Sequence, residues 1–290
     1  MDREQELAVV RRAYAMQILA VMGVEDTGVE AAFADVRREK FLGDGPWQLV
    51  NRSHKYRQTP SADPTYLYTD DIVAIDAARN LNNGEPSFHA MMIARVAAKP
   101  GEHVVHVGAG VGYYTAIFAH LVGAEGKVTA IEFDEVLAQR AFENFRQWPN
   151  VTVIHGDGAV ADFASADVVY VNAGATHPAT RWLDGLKDGG RLIVPLTTNQ
   201  SFVRDKVTEP IERCGAVFLI EQRSEGYFAN WISPVAIFPC ESARDSLSET
   251  ALVAAFNKGG WERVTRLYRN DDIAEDRCWL RTPTCCLAFN

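Results

Sequence analysis

The run Val104-Val-His-Val-Gly-Ala-Gly-Val-Gly112 constrains this chain more than any other stretch. Four mostly β-branched residues lead into three glycines at alternate positions, and apolar residues at helical spacing follow from Tyr113 to Leu121. The pattern predicts a strand, a tight turn and a helix. Glycine suits such a turn because it adopts positive φ without steric cost and puts no Cβ between the backbone and a neighbour. The first turn of the helix adds N–H groups without intrahelical partners. Such a turn either serves packing alone or lets a small molecule lie against the backbone. A dinucleotide fingerprint needs glycine or alanine where this chain has Tyr113, so no pyrophosphate cradle is predicted.

Downstream the alternation continues, with strands predicted over Lys127–Ile131, Val151–Ile154, Asp167–Val171 and Arg191–Val194 and helices over Asp134–Phe145 and Thr180–Leu186. This implies an α/β fold with a mostly parallel sheet and helices on both faces. Ligands of such sheets lie beyond the carboxyl ends of the strands, where strand order reverses. Upstream, Leu7, Val10, Tyr14, Ile18 and Val21 predict a helix over residues 1–22, stopped by Gly23. A second helix is predicted over Val29–Phe41, and a third follows Pro86, with Glu85 or Ser87 near its cap. The connection Leu42–Asn83 reads as irregular, and its length suits either a lid or a surface insertion. After Pro195, Ala216–Gln222 and Ser233–Phe238 read as a further strand pair and Leu247–Phe256 as a helix. A tail with Trp261, Leu267, Trp279 and Leu280 is apolar enough to fold. Three regions result: a helical, lid-like N-terminal region (1–98), a ligand-binding core (99–240) and a C-terminal extension (241–290).

Composition narrows the partners. Apolar residues make up 47% of the 290, charged ones 23%, and the net charge is −9, which argues against holding nucleic acid by bulk charge. The N-terminus is charged from its second residue and no apolar run approaches ~18 residues, so no signal peptide or membrane span is read and a cytoplasmic location is expected. The five cysteines (Cys214, Cys240, Cys278, Cys285, Cys286) include no Cys-x-x-Cys pair, and the adjacent Cys285 and Cys286 have poor geometry for a disulfide. Reduced packing thiols are expected. Seven dispersed histidines, with His103 and His106 on opposite faces of a strand, indicate no metal site.

The predicted carboxyl ends gather a short list of polar residues. Glu132 closes the second strand, where a carboxylate accepts from both hydroxyls of a ribose or, more simply, caps the next helix beside Asp134. Phe133 offers a face to an adenine. Asp157, in Gly156-Asp-Gly158, suits an adenine amino group or a plain turn. Asn172 closes the fourth strand in Asn-Ala-Gly-Ala, whose small residues leave room for a substrate or for close helix packing.

With these residues assembled, the chain resembles S-adenosyl-L-methionine (SAM)-dependent methyltransferases of the protein-L-isoaspartate (D-aspartate) O-methyltransferase type. The resemblance runs from about Val36 to Thr197 through Val-Arg-Arg-Glu-Lys-Phe41, Glu85-Pro-Ser-Phe-His-Ala90, Gly108-Ala-Gly-Val-Gly-Tyr-Tyr-Thr-Ala116, Gly126-Lys-Val-Thr-Ala-Ile-Glu132, Gly156-Asp-Gly158, Asn172-Ala-Gly-Ala175 and Leu186-Lys-Asp-Gly-Gly-Arg-Leu-Ile-Val-Pro195. It implies a Rossmann-like methyltransferase fold with SAM as cofactor, held by Gly84, Glu85, His89, Gly108, Ala109, Gly110, Gly112, Glu132, Phe133, Asp157, Gly158 and Asn172. His89 and Asn172 are the candidate catalytic residues. Two positions depart from the family: Gly84 replaces a serine at the methyl-transfer site, and His106 replaces an aspartate near the cofactor's amino group.

A carboxylate acceptor, ionised above a pKa of about 4, needs positioning rather than a general base, and positioning can supply ~7 kcal/mol. The expected activity is therefore O-methylation of a carboxylate on a peptide or small molecule. A hydroxyl or amine acceptor needs a base, for which His89 is the candidate. Isoaspartyl methylation with Asn83 or Glu85 in place of the serine, and an inactive SAM-binding scaffold, are the competing readings.

Overall fold

The structure, a computed structural model, describes residues 2–50, 56–199, 211–269 and 273–289, without the side chains of 212 and 213. The chain divides into two compact units: Met1–Glu102 with Ala109–Ala130 and Asp134–Val153, and His103–Gly108 with Ile131–Phe133 and Ile154–Asn290.

In the first unit, α1 (Arg3–Val21) begins with a reciprocal cap in which Asp2 accepts from the Gln5 N–H and the Gln5 side chain accepts from the Asp2 N–H. Its buried Tyr14 meets Phe33 of α2 (Thr27–Asp35) edge to face, with ring centroids 6.4 Å apart. The single helix expected over Val29–Phe41 is corrected: Val36 is extended and α3 (Glu39–Leu42) is separate. The break admits Arg38 to the core, where its fully buried guanidinium donates to the carbonyls of Leu67, Thr69 and Asp71.

The irregular reading of Leu42–Asn83 is also corrected, although residues 51–55 of that stretch lie outside the described residues. Strands β1 (Gln48–Val50), β2 (Tyr56–Gln58), β3 (Ile72–Asp76) and β4 (Leu81–Asn82) form an antiparallel sheet in the order β2-β1-β3-β4. Strands of two to five residues carry too little alternation to be legible. Helix α4 (Pro86–Val96) starts with proline, and the Ser87 N–H donates to Asp70 Oδ1 at 2.7 Å. Helices α5 (Tyr113–Val122) and α6 (Glu135–Asn144) complete this unit, and Asp134 caps α6 by accepting from the Leu137 N–H at 3.0 Å.

The second unit is built on β5 (His103–Val107), buried at every residue, which pairs in parallel with β8 (Ala166–Val171). Beyond β8, α7 (Thr180–Asp184) leads to β9 (Leu186–Thr197), which is parallel to β8. After α8 (Ile211–Cys214), β10 (Gly215–Arg223) and β11 (Gly226–Pro234) add antiparallel strands to β9. The second of these strands was expected over Ser233–Phe238. Arg223 pairs with Gly226 across a two-residue turn, so β11 returns at once. Then come α9 (Ser246–Lys258), β12 (Arg266–Tyr268), β13 (Cys278–Arg281) and β14 (Cys286–Ala288).

Strands β6 (Lys127–Glu132) and β7 (Val151–His155) each run from the first unit into the second. The large mixed sheet has the order β13-β14-β12-β11-β10-β9-β8-β5-β6-β7, so strand order reverses about β5, as in Rossmann-like folds. The tail is folded as expected: Trp279 is 5.6 Å, ring to ring, from both Phe218 and Phe256. The expectation of reduced cysteines is corrected at one pair, since Cys278 and Cys286 form a disulfide. They lie on neighbouring antiparallel strands with Cα atoms 6.1 Å apart, a proximity that their spacing of eight residues does not announce. Among the described residues, no helix is long and apolar enough to cross a membrane.

Candidate cofactor site

In the second unit, strand carboxyl ends bring several of the predicted residues together. Gly108 follows β5 at φ +74°, and its N–H donates to the Ile131 carbonyl at 2.9 Å. A Cβ there would stand 3.0 Å from the Asn172 carbonyl oxygen, so glycine is what the close approach of two strand ends requires. Asn172 donates its main-chain N–H to Val107 O at 2.8 Å and its side-chain amide to Gly108 O at 3.3 Å. Glu132 ends β6 with its side chain buried, and its carbonyl accepts from the Gly156 N–H at 2.9 Å, drawing the ends of β6 and β7 together. Phe133 is 54% exposed, leaving a ring face open to stacking.

Asp157 follows β7. Its Oδ1 accepts from the Ala159 N–H at 2.9 Å and from the Ser242 hydroxyl. Gly158 has a packing reason of its own: a Cβ there would overlap Val107 Cγ1, and its carbonyl accepts from the Trp182 indole at 2.7 Å. Two carboxylates and an amide beside a backbone-only position form a set rich in acceptors. That set fits the hydroxyls and exocyclic amine of a nucleoside. His106 is different. Fully buried and edge-on to Tyr170, it has its pKa pushed down to about 3 by burial, so a neutral imidazole stands where the family pattern has a carboxylate.

In the first unit, Ala109, Gly110 and Gly112 carry the turn into α5. Gly110 and Gly112 have φ of +57° and +97°, and the Gly112 N–H donates to Ala109 O at 3.0 Å. A Cβ on Gly112 would overlap Phe145, whereas one on Gly110 would meet nothing nearer than Ile75 at 3.7 Å. The open side of the turn is therefore at Gly110. Asn144 holds the turn from behind, donating to Val111 O at 2.9 Å.

Gly84, Glu85 and His89 gather at the start of α4. The Glu85 carbonyl accepts from the His89 N–H at 3.1 Å. His89 is buried, and its ring stacks on Tyr114 at 3.8 Å with 19° between planes. Gly84 sits at φ +71°, where an added Cβ would overlap His89 Nε2 and stand 2.9 Å from Cδ2. The imidazole fills the volume that a serine side chain would need. The missing serine and the placement of His89 are one packing arrangement.

Nothing in the linear pattern pointed to the segment after β11, which runs beside the residues following β8. The Gly174 N–H donates to Phe238 O at 2.6 Å, Cys240 N–H to Gly174 O at 2.9 Å and Thr176 N–H to Ala243 O at 2.9 Å. Arg244 donates to Gly174 O at 2.8 Å and to Thr197 Oγ1 at 3.0 Å. His177 Nδ1 lies 3.3 Å from Asp245 Oδ2, and burial holds this imidazole below its usual pKa against the pull of that carboxylate. Contacts between residues 47 to 85 positions apart leave no local signal.

The family model of protein-L-isoaspartate(D-aspartate) O-methyltransferase matches residues 12–214. A protein-L-isoaspartate O-methyltransferase from Pyrobaculum neutrophilum is 34% identical over 210 residues, covering 70% of this chain and 89% of its own. One from Thermotoga maritima is 30% identical over 191 residues, covering 63% of this chain and 55% of its own, so this chain spans about half the length of that relative. Among solved structures, a protein-L-isoaspartate O-methyltransferase has a TM-score of 0.62 at 25% identity, covering 80% of this chain and 66% of its own. A Plasmodium falciparum protein solved with S-adenosyl-L-homocysteine has a TM-score of 0.59 at 20% identity, covering 80% of this chain and 98% of its own, and shares the fold. The family match takes in α4, the glycine turn and the ends of β6, β7 and β8, and leaves residues 215–290 outside. On that match and those relatives, the chain belongs to the protein-L-isoaspartate(D-aspartate) O-methyltransferase family of SAM-dependent methyltransferases.

Proposed function

We propose that this chain binds SAM and methylates a carboxylate oxygen of a peptide or small-molecule acceptor. The observation that carries the reading is the contact of Gly108 with Asn172 at the point where strand order reverses, with Glu132 and Asp157 ending the neighbouring strands. Bound SAM supplies a methyl group on a positively charged sulfur. Glu132 accepts from the ribose hydroxyls, Asp157 from the adenine amino group, and Phe133 covers the base. The glycine turn admits the methionine portion to the backbone, and Asn172 lines the acceptor side. His89 occupies the space of the serine side chain that Gly84 lacks, and is the candidate base only for a hydroxyl or amine acceptor. An ionised carboxylate is already nucleophilic, so these residues align and desolvate it rather than deprotonate it.

Calorimetric titration with SAM, followed by methyl-ester analysis on a panel of carboxylate acceptors that includes isoaspartyl peptides, tests the reading. Saturable binding and ester formation are expected, and absence of binding at millimolar SAM overturns it. A second reading, a SAM-binding protein without turnover, draws support from Gly84 and from the neutral His106. Ester formation on any acceptor excludes that alternative.

A further inference from the structure

We propose that Ser242, which lies beyond the family match, is a positioning residue for the cofactor's base. The inference rests on the reading of Asp157 as the partner of the adenine amino group. Asp157 Oδ1 is committed twice, to the Ala159 N–H at 2.9 Å and to the Ser242 hydroxyl, while Oδ2 has no partner among the described residues. Two donors on one oxygen fix the rotation of the carboxylate and leave the other oxygen as the acceptor for an amino group.

Ser242 is itself held. On one side of it, Cys240 donates its N–H to Gly174 O at 2.9 Å, and on the other the Ala243 carbonyl accepts from the Thr176 N–H at 2.9 Å. Ala243 is buried, and Arg244 ties the same strap to Gly174 and Thr197. A hydroxyl on a backbone anchored at both sides gives up little freedom when it bonds a carboxylate. The C-terminal extension thereby takes part in cofactor recognition through a residue that the family's matched core does not contain.

The test uses the full chain. Calorimetry compares S-adenosyl-L-homocysteine with S-inosyl-L-homocysteine, in which oxygen replaces the 6-amino group, on the wild type, Ser242→Ala, Ser242→Thr and Asp157→Ala. Loss of one hydrogen bond to a carboxylate is expected to weaken S-adenosyl-L-homocysteine roughly three- to tenfold in Ser242→Ala. Ser242→Thr restores affinity, and the inosyl analogue binds wild type and Ser242→Ala alike. In methyl transfer the change falls on KM for SAM rather than on kcat. The proposal is overturned if Ser242→Ala binds as wild type while Asp157→Ala is weakened, or if the analogue loses as much as the adenosyl compound, the mark of a general structural role. Should Asp157→Ala leave affinity unchanged, the adenine assignment itself fails and takes the inference with it.

Discussion

Two residues decide how this chain departs from the pattern it otherwise follows. At Gly84 the left-handed backbone and the adjacent His89 ring both oppose a side chain, so Gly84→Ser must strain the backbone and drive the imidazole off Tyr114. Backbone strain of about 1–3 kcal/mol and overpacking of similar size predict a loss of about 2–6 kcal/mol in urea unfolding. Adding His89→Ala should recover the overpacking share, and an unchanged midpoint for Gly84→Ser alone would show that neither the backbone nor the ring opposes a side chain there. At His106 the effect is one of pH. Burial lowers its pKa from 6.5 to about 3, so below pH 6.5 the unfolded chain takes up a proton that the native state refuses. The stability this represents is fully present above the unfolded pKa and falls by about 1.4 kcal/mol per pH unit below it. His177, shifted the same way, adds to the slope. Urea unfolding between pH 6.5 and 5.5, above the carboxylate range, should show this decline, and His106→Asn should lessen it, leaving the share of His177.

Among the elements, the segment between the single helical turn at Pro64–Leu67 and β3 is held by one side chain, Arg38. Its three carbonyl bonds surround Asp70, which in turn accepts from the Ser87 N–H at the start of α4. Arg38→Leu orphans three acceptors at about 1–3 kcal/mol each and is expected to remove at least about 3 kcal/mol of stability, measured by denaturant unfolding. The same residue shows why sequence legibility ends where it does. Strand β5, the glycine turn, α5 and the Asp134 cap were legible because their signals are local: a β-branched run, alternate glycines, a capping carboxylate. The break at Val36 was not, because it answers to carbonyls about thirty positions away. Of the site, the succession of polar residues at strand ends could be read in order along the chain. The exclusion of a side chain at Gly84 by His89, and the bond from Ser242 to Asp157, exist only once the chain has folded.

For the molecule as a whole, the C-terminal extension is structural. Leu252, Phe256, Trp279, Leu280 and Leu287 all belong to the hydrophobic core that β5, β8 and β9 share. At about 2 kcal/mol each, their removal costs on the order of 10 kcal/mol, comparable to the entire net stability of a domain. A chain ending at residue 240 is therefore expected to lose cooperative unfolding and near-UV circular dichroism, whereas a sharp transition in it would make the extension dispensable. The position of β13 at the end of the ten-stranded sheet has a further consequence. An outermost strand is ordinarily a template for another chain's backbone, but this one is four residues long, irregular in register beside β14, and bonded to it through Cys278 and Cys286. Copies of this protein that associate are thus discouraged from zippering sheet to sheet along that border.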